Sequence, residues 1–145
     1  MERGVREFQR LLKGELDFIM QDVTKRTGNS LVRLSPVADP GSHDRGEYVA
    51  DWDAAIGQWP PDTEQQPDPK KTTTRRRLQN VFKNVRYGQS VFFENDDPVA
   101  VRLEFGYSKK APQGIVRLTA RRFRGFVKGA GRAAQNKIRK QLVFD

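Results

Sequence analysis

Val5, Phe8, Leu12, Leu16, Ile19 and Val23 recur at steps of three and four residues, the apolar stripe of an amphipathic helix. Leu31 and Leu34 continue its phase. The helix therefore either runs through Gly28 to about Leu34 or breaks at "TGN", with Gly28 as a C-cap. Pro36 ends it in both cases. In "YVADWDAAI" (48–56) the pattern switches to alternation. Tyr48, Ala50, Trp52, Ala54 and Ile56 share one side, and Asp51 and Asp53 the other, which predicts a half-buried strand. A helix is predicted from Thr72–Thr74, which can cap it, through Leu78, Val81, Phe82 and Val85 to near Gly88. "SVFFE" (90–94) reads as a second strand, and "VAVRLEF" (99–105) as either a short helix or a third strand. A last long helix is predicted from about Gly114 to Leu142.

Between these elements lie two segments of different composition. "ADPGSHDRG" (38–46) is turn chemistry. "QWPPDTEQQPDPKK" (58–71) holds four prolines and almost nothing apolar after Trp59, the character of an exposed loop or arm. The order helix, strand, helix, strand, helix predicts one α+β domain over residues 1–145. Its small, mostly antiparallel sheet is packed against a long N-terminal helix and a long basic C-terminal helix.

Charge changes the picture most. The formal net charge is +9, yet residues 1–108 carry 16 Lys and Arg against 17 Asp and Glu, while residues 109–145 carry 11 against Asp145 alone. At 100° per residue the last helix places Ile115, Val116, Thr119, Phe123, Phe126, Val127, Ala130, Ala134 and Ile138 on one broad face, expected to dock on the sheet. Arg117, Arg121, Arg124, Lys128, Arg132 and Arg139 fall in a narrow stripe nearly opposite. Lysines and arginines commonly do no more than solvate an exposed helix, but such a face normally mixes signs and pairs them at i, i+4. This one has no acid before Asp145, so the stripe is read as facing an anionic partner, DNA or an acidic protein surface. Gly125 and Gly129 at a four-residue step suggest close approach by a neighbouring element.

Candidate chemistry is sparse. The chain has no cysteine and a single histidine, His43 in a turn, so thiolate metal sites are excluded and a histidine-based triad would need other residue types. Asp51 and Asp53 share a strand face as a formal carboxylate pair, which surface solubility explains with less. "GAGRAA" (129–134) matches a dinucleotide-binding pattern by letter but lies within a helix with no strand before it. Three arginines in the first turn of the helix at 72 oppose its macrodipole. No apolar run approaches the length of a membrane span. The expectation is a non-enzymatic protein with no cofactor or metal, made in the cytoplasm.

"ENDDPVAVRLEFGYSKKAPQGIVRLTARRF" resembles the tail-completion and neck proteins of tailed bacteriophages, the group that includes the lambdoid minor tail protein Z. Leu103, Glu104, Gly106, Ser108, Ala111, Pro112, Gly114, Val116, Arg117 and Thr119 occupy the matching positions. Ser35, Pro36, Val37, Trp52 and Gly57 echo an earlier part of the same pattern. The chain departs from it in a longer loop containing "SHDRGEY", in Val99 where the family favours tyrosine, and at Lys109 and Lys110. The resemblance implies a structural virion protein of the head–tail junction, assembled in the host cytoplasm. Its subunits would form a homo-oligomeric ring, a hexamer being favoured, that completes or terminates the tail and allows joining to the filled head. Neighbouring connector and tail-tube proteins, and DNA in the channel, are the implied partners; the alternative is a stand-alone, non-sequence-specific DNA-binding module. The resemblance also favours one continuous first helix.

Overall fold

A computed structural model of the chain describes residues 2–144. In order, it contains α1 (Glu2–Leu34), α2 (Glu47–Ala50), β1 (Trp52–Ile56), α3 (Thr72–Phe82), β2 (Val91–Asn95), α4 (Ala100–Glu104) and α5 (Val116–Phe144). The class is α+β, as the alternation of apolar patterns predicts. The two strands pair antiparallel from Trp52 opposite Asn95 to Ile56 opposite Val91.

The first helix is continuous through Gly28 because of what lies on it. A Cβ at Gly28 would overlap the Phe82 ring of α3, so the missing side chain lets an aromatic ring press against the backbone. Propensity alone would favour a break there. Tertiary packing outweighs it. Ser35 closes the helix, its hydroxyl donating to Leu31 O (2.7 Å) while accepting from Trp52 Nε1 (2.8 Å). Lys71, the one non-glycine residue with positive φ among the described residues, sends its ammonium to Arg33 O (3.0 Å) and Ser35 O (2.6 Å). A cation thus sits where the helix macrodipole is negative.

The core joins every layer. Leu31 and Val32 of α1 meet Tyr48 and Val49 of α2, Trp52 and Ala54 of β1, Leu78 and Phe82 of α3, and Leu103, Ala111 and Ile115 from the segment leading into α5. Each large side chain buried here contributes roughly 1.5–3 kcal/mol. α5 packs chiefly against α1 and runs antiparallel to it. Ser30 and Thr119 share a buried hydrogen bond (2.9 Å) near one end, and Lys137 reaches Glu15 (3.4 Å) near the other. The expectation that α5 docks on the sheet is thereby corrected. Ile115, Thr119, Ala130 and Ala134 are buried, while Val116, Phe123, Val127 and Ile138 of the same apolar face remain 39–50% exposed. An arc that wide exceeds what one flanking helix can cover.

Three local expectations are also corrected. Residues 48–50 form a helical turn and the strand starts at Trp52, because Tyr48, Val49 and Ala50 are all buried and a strand would have turned Val49 outward. The helix at 72 ends at Phe82 and continues toward Gly88 only as turns. Its start is capped by Asp68, which accepts from Thr74 N at 2.8 Å, and not by Thr72–Thr74. Residues 99–105 settle as the short helix α4.

Candidate functional site

The most organised polar constellation lies where α4 turns into α5. Glu104 ends α4, and its carboxylate turns back to the first turn of α5. One oxygen accepts from the Ile115 and Val116 amides (2.9 Å each), the other from the Arg117 amide (2.9 Å) and Arg117 Nε (3.2 Å). Arg117 also donates to Glu104 O and stands over the Phe105 ring, 5.2 Å from its centroid. The first N–H groups of a helix have no partner within it, and the macrodipole there favours a negative charge. Glu104 supplies both acceptor and charge from eleven to thirteen residues upstream. Burial alone would push its carboxyl up, but the three amides and the guanidinium outweigh it and hold it below its ordinary value.

The turn between the two helices is closed by glycines with positive φ, 83° at Gly106 and 77° at Gly114. A Cβ at Gly106 would lie 2.7 Å from Pro112 O, and one at Gly114 would overlap the Glu104 backbone and carboxylate. Both positions thus exclude a side chain on sterics as well as on φ. Ala111 is buried in the core. The Ser108 hydroxyl accepts from Lys110 N (3.2 Å), tightening the turn, and Pro112 presents the carbonyl that crowds Gly106. Lys110 then bridges to the end of α1, donating to Val37 O (2.8 Å) and Asp39 Oδ1 (2.7 Å). Its hydrogen bond and then its charge hold the Asp39 carboxyl below its ordinary value.

The residues singled out in sequence therefore gather in one place. Glu104, Gly106, Ser108, Ala111, Pro112 and Gly114 form a clamp on the start of α5. Trp52 shares the buried core with Leu103 and Ala111 of this segment, and Lys110 links the turn to Val37. Gly57 stands apart: its φ of 76° ends β1, and its amide donates to Ser90 O at 2.8 Å. An open cavity of about 610 Å³ lies between the clamp and the chain after α1, lined in part by Val37, Asp39, Tyr48, Val99, Leu103 and Lys110.

The cationic stripe divides. Arg117 belongs to the clamp. Arg121, Arg124, Lys128, Arg132 and Arg139 are all exposed, and none forms a hydrogen bond or ion pair among the described residues. Of the two glycines expected to mark close approach, Gly129 faces the Arg26 guanidinium of α1 and Gly125 faces open space. Only the first has a neighbour.

Arg77 is a residue that sequence reasoning misread. It appears in the sequence as one of three first-turn arginines, but it folds inward to Asp53 (3.2 Å), Gln65 (2.9 Å), Ala50 O (2.6 Å) and Trp52 O (2.8 Å). It thereby ties α3, β1 and the Pro-rich segment together. That segment is without helix or strand and mostly exposed. It is held at Pro60 and Asp68, which are buried, and at Trp59, whose ring lies 4.9 Å from Phe92. Asp51 and Asp53 do not form a pair on one strand face. Asp51 precedes the strand, and Asp53 is engaged by Arg77 and Thr63. Asp51 lies toward Glu47, Asp96 and Asp97; burial first, then these charges, push its carboxyl up to about 6, against the pull of Arg77.

Another surface feature is apolar. Val5, Phe8, Leu11, Leu12 and Leu16 on the first half of α1 are 36–62% exposed, and the buried residues of that helix begin only at Val23. Among the described residues no group of His, Cys, Asp and Glu is placed to hold a metal ion, and no helix is long and apolar enough to cross a membrane. The chain matches no family model, no curated protein and no solved structure.

Proposed function

We propose that the chain is a structural subunit of a tailed-phage head–tail junction. In this reading copies of it assemble in a ring that completes or terminates the tail and allows the filled head to join. One observation carries the assembly half of the reading: the apolar stripe on the first half of α1. The stretch of α1 before Glu15, about 20 Å long, buries none of its residues in the chain's own fold. Five large apolar side chains left in water on that half of α1 are the signature of a surface completed by another chain.

The place in the virion rests on the resemblance of residues 94–123, whose matched positions are the ones that build the clamp. A clamp that fixes the direction of α5 suits a ring subunit, since a small angular error repeats at every interface and prevents closure. Non-enzymatic action fits the same surfaces.

The test is electron microscopy of particles produced with and without the chain. Filled heads beside unattached tails are expected in its absence, with joining restored by the wild-type chain and not by Phe8→Ser/Leu12→Ser. Joined, infectious particles formed without the chain would overturn the proposal.

A further inference from the structure

The geometry points to the outer face of α5 as a binding surface for the phosphate backbone of duplex DNA, through Arg121, Arg124, Lys128, Arg132 and Arg139. This inference stands beside the assembly reading and does not require it.

These five cations lack acidic partners among the described residues. Each is exposed, and none meets an acid among the described residues, whereas Arg117, Arg26, Arg77 and Lys137 all find carboxylates. Other cations are unpaired too, but these five form a single line along one helix face. In the isolated chain their mutual repulsion opposes helix formation. At a rise of about 1.5 Å per residue the line runs roughly 27 Å along a single straight helix. Duplex DNA presents one negative charge per roughly 1.7 Å of axis. A duplex of that length therefore carries more phosphates than the stripe has cations.

The composition of the stripe separates this partner from an acidic protein. The core of a protein interface is depleted of charge and anchored by buried aromatic or aliphatic groups. Between Arg121 and Arg139 the only other residue within the arc of the stripe is Gln135. A face with cations and no anchor suits contacts that position a polyanion without reading it. A single Gln does not supply a base-reading cluster, so binding independent of sequence is expected.

The experiment uses the full chain and a fluorescent 20-base-pair duplex, with affinity measured by anisotropy across a salt series. If all five cations neutralise phosphates, log affinity against log salt has a slope of about −4.5. Arg124→Gln/Lys128→Gln/Arg132→Gln, exposed positions where glutamine keeps the helix, should make that slope shallower by about 2.7. Arg3→Gln/Arg10→Gln/Arg76→Gln changes the net charge equally but lies off the stripe, and should shift the slope by less than about 1. Circular dichroism checks that both variants are folded.

Equal loss in the two variants would mean that net charge alone binds DNA, and would overturn the assignment. So would a slope unchanged by the stripe variant. A stripe variant that keeps its DNA slope but alters the mass of the assembly in light scattering would place a protein against the stripe instead. Because particle joining is read in a separate assay, failure here leaves the assembly proposal standing, and failure there leaves this one.

Discussion

Replacing Glu104 with alanine should loosen α5 at its start. The substitution removes one carboxylate that takes three backbone amides and the Arg117 side chain. Loss of an N-terminal cap costs about 0.5–2 kcal/mol. Leaving a buried donor without a partner costs about 1–3 kcal/mol. Val116 and Arg117 are exposed enough for water to replace the acceptor at their amides, but Ile115 is fully buried, so one donor takes most of the penalty. The expected loss is about 2–3 kcal/mol, or roughly 5–10 °C in Tm for a chain of this size.

Glu104→Gln keeps an acceptor but loses the charge and turns an NH2 group toward the amides; it should cost about 1–2 kcal/mol. The sign of the pH dependence follows from the lowered carboxyl. Its contribution is fully present above the ordinary value of 4.5 and is lost as pH falls through the lower folded one. Urea unfolding followed by circular dichroism at pH 7 and through the acid range would therefore find wild type and Glu104→Gln converging as pH falls. A gap that stays constant from pH 7 to pH 3, or a cost below about 0.5 kcal/mol for Glu104→Ala, well under the usual cap penalty, would refute the clamp.

Two glycines in long helices should respond in opposite directions. Gly28→Ala forces a methyl group into the Phe82 ring and should destabilise by about 1–3 kcal/mol, whereas Gly125→Ala points into open space and should stabilise by up to about 1 kcal/mol; thermal melts of the pair check the contrast, and a higher Tm for Gly28→Ala would contradict the packing. Asp51→Asn should stabilise the chain at neutral pH. The raised carboxyl favours folding below the ordinary value of 3.8 and loses that contribution as pH rises through about 6. Discounted for solvent screening, the gain at pH 7 is roughly 1 kcal/mol and should vanish near pH 4; denaturant midpoints that differ equally at both pH values would sink it.

The amphipathic periods of α1 and α5, the two strand segments and the turn chemistry were legible in the sequence because each depends on neighbours a few residues apart. The same locality located the clamp: Gly106, Pro112 and Gly114 announce a constrained turn before the long helix. What the clamp holds was not legible. Glu104 acts on amides eleven to thirteen residues downstream, and nothing in the letters distinguishes a carboxylate that returns to a helix from one that faces water. The same holds for Arg77, which reads as one of a cationic trio until the fold turns it inward to two backbone carbonyls and Asp53. Gly28 could be a cap or a contact, and only the Phe82 ring decides. On α5 the sequence divided apolar from basic correctly, but the width of the apolar face said nothing about which part would be covered. Helical period sets the direction of each side chain relative to its neighbours along the chain. Which of those directions meets protein, water or a partner is set by where the other elements lie, and that is a property of the fold.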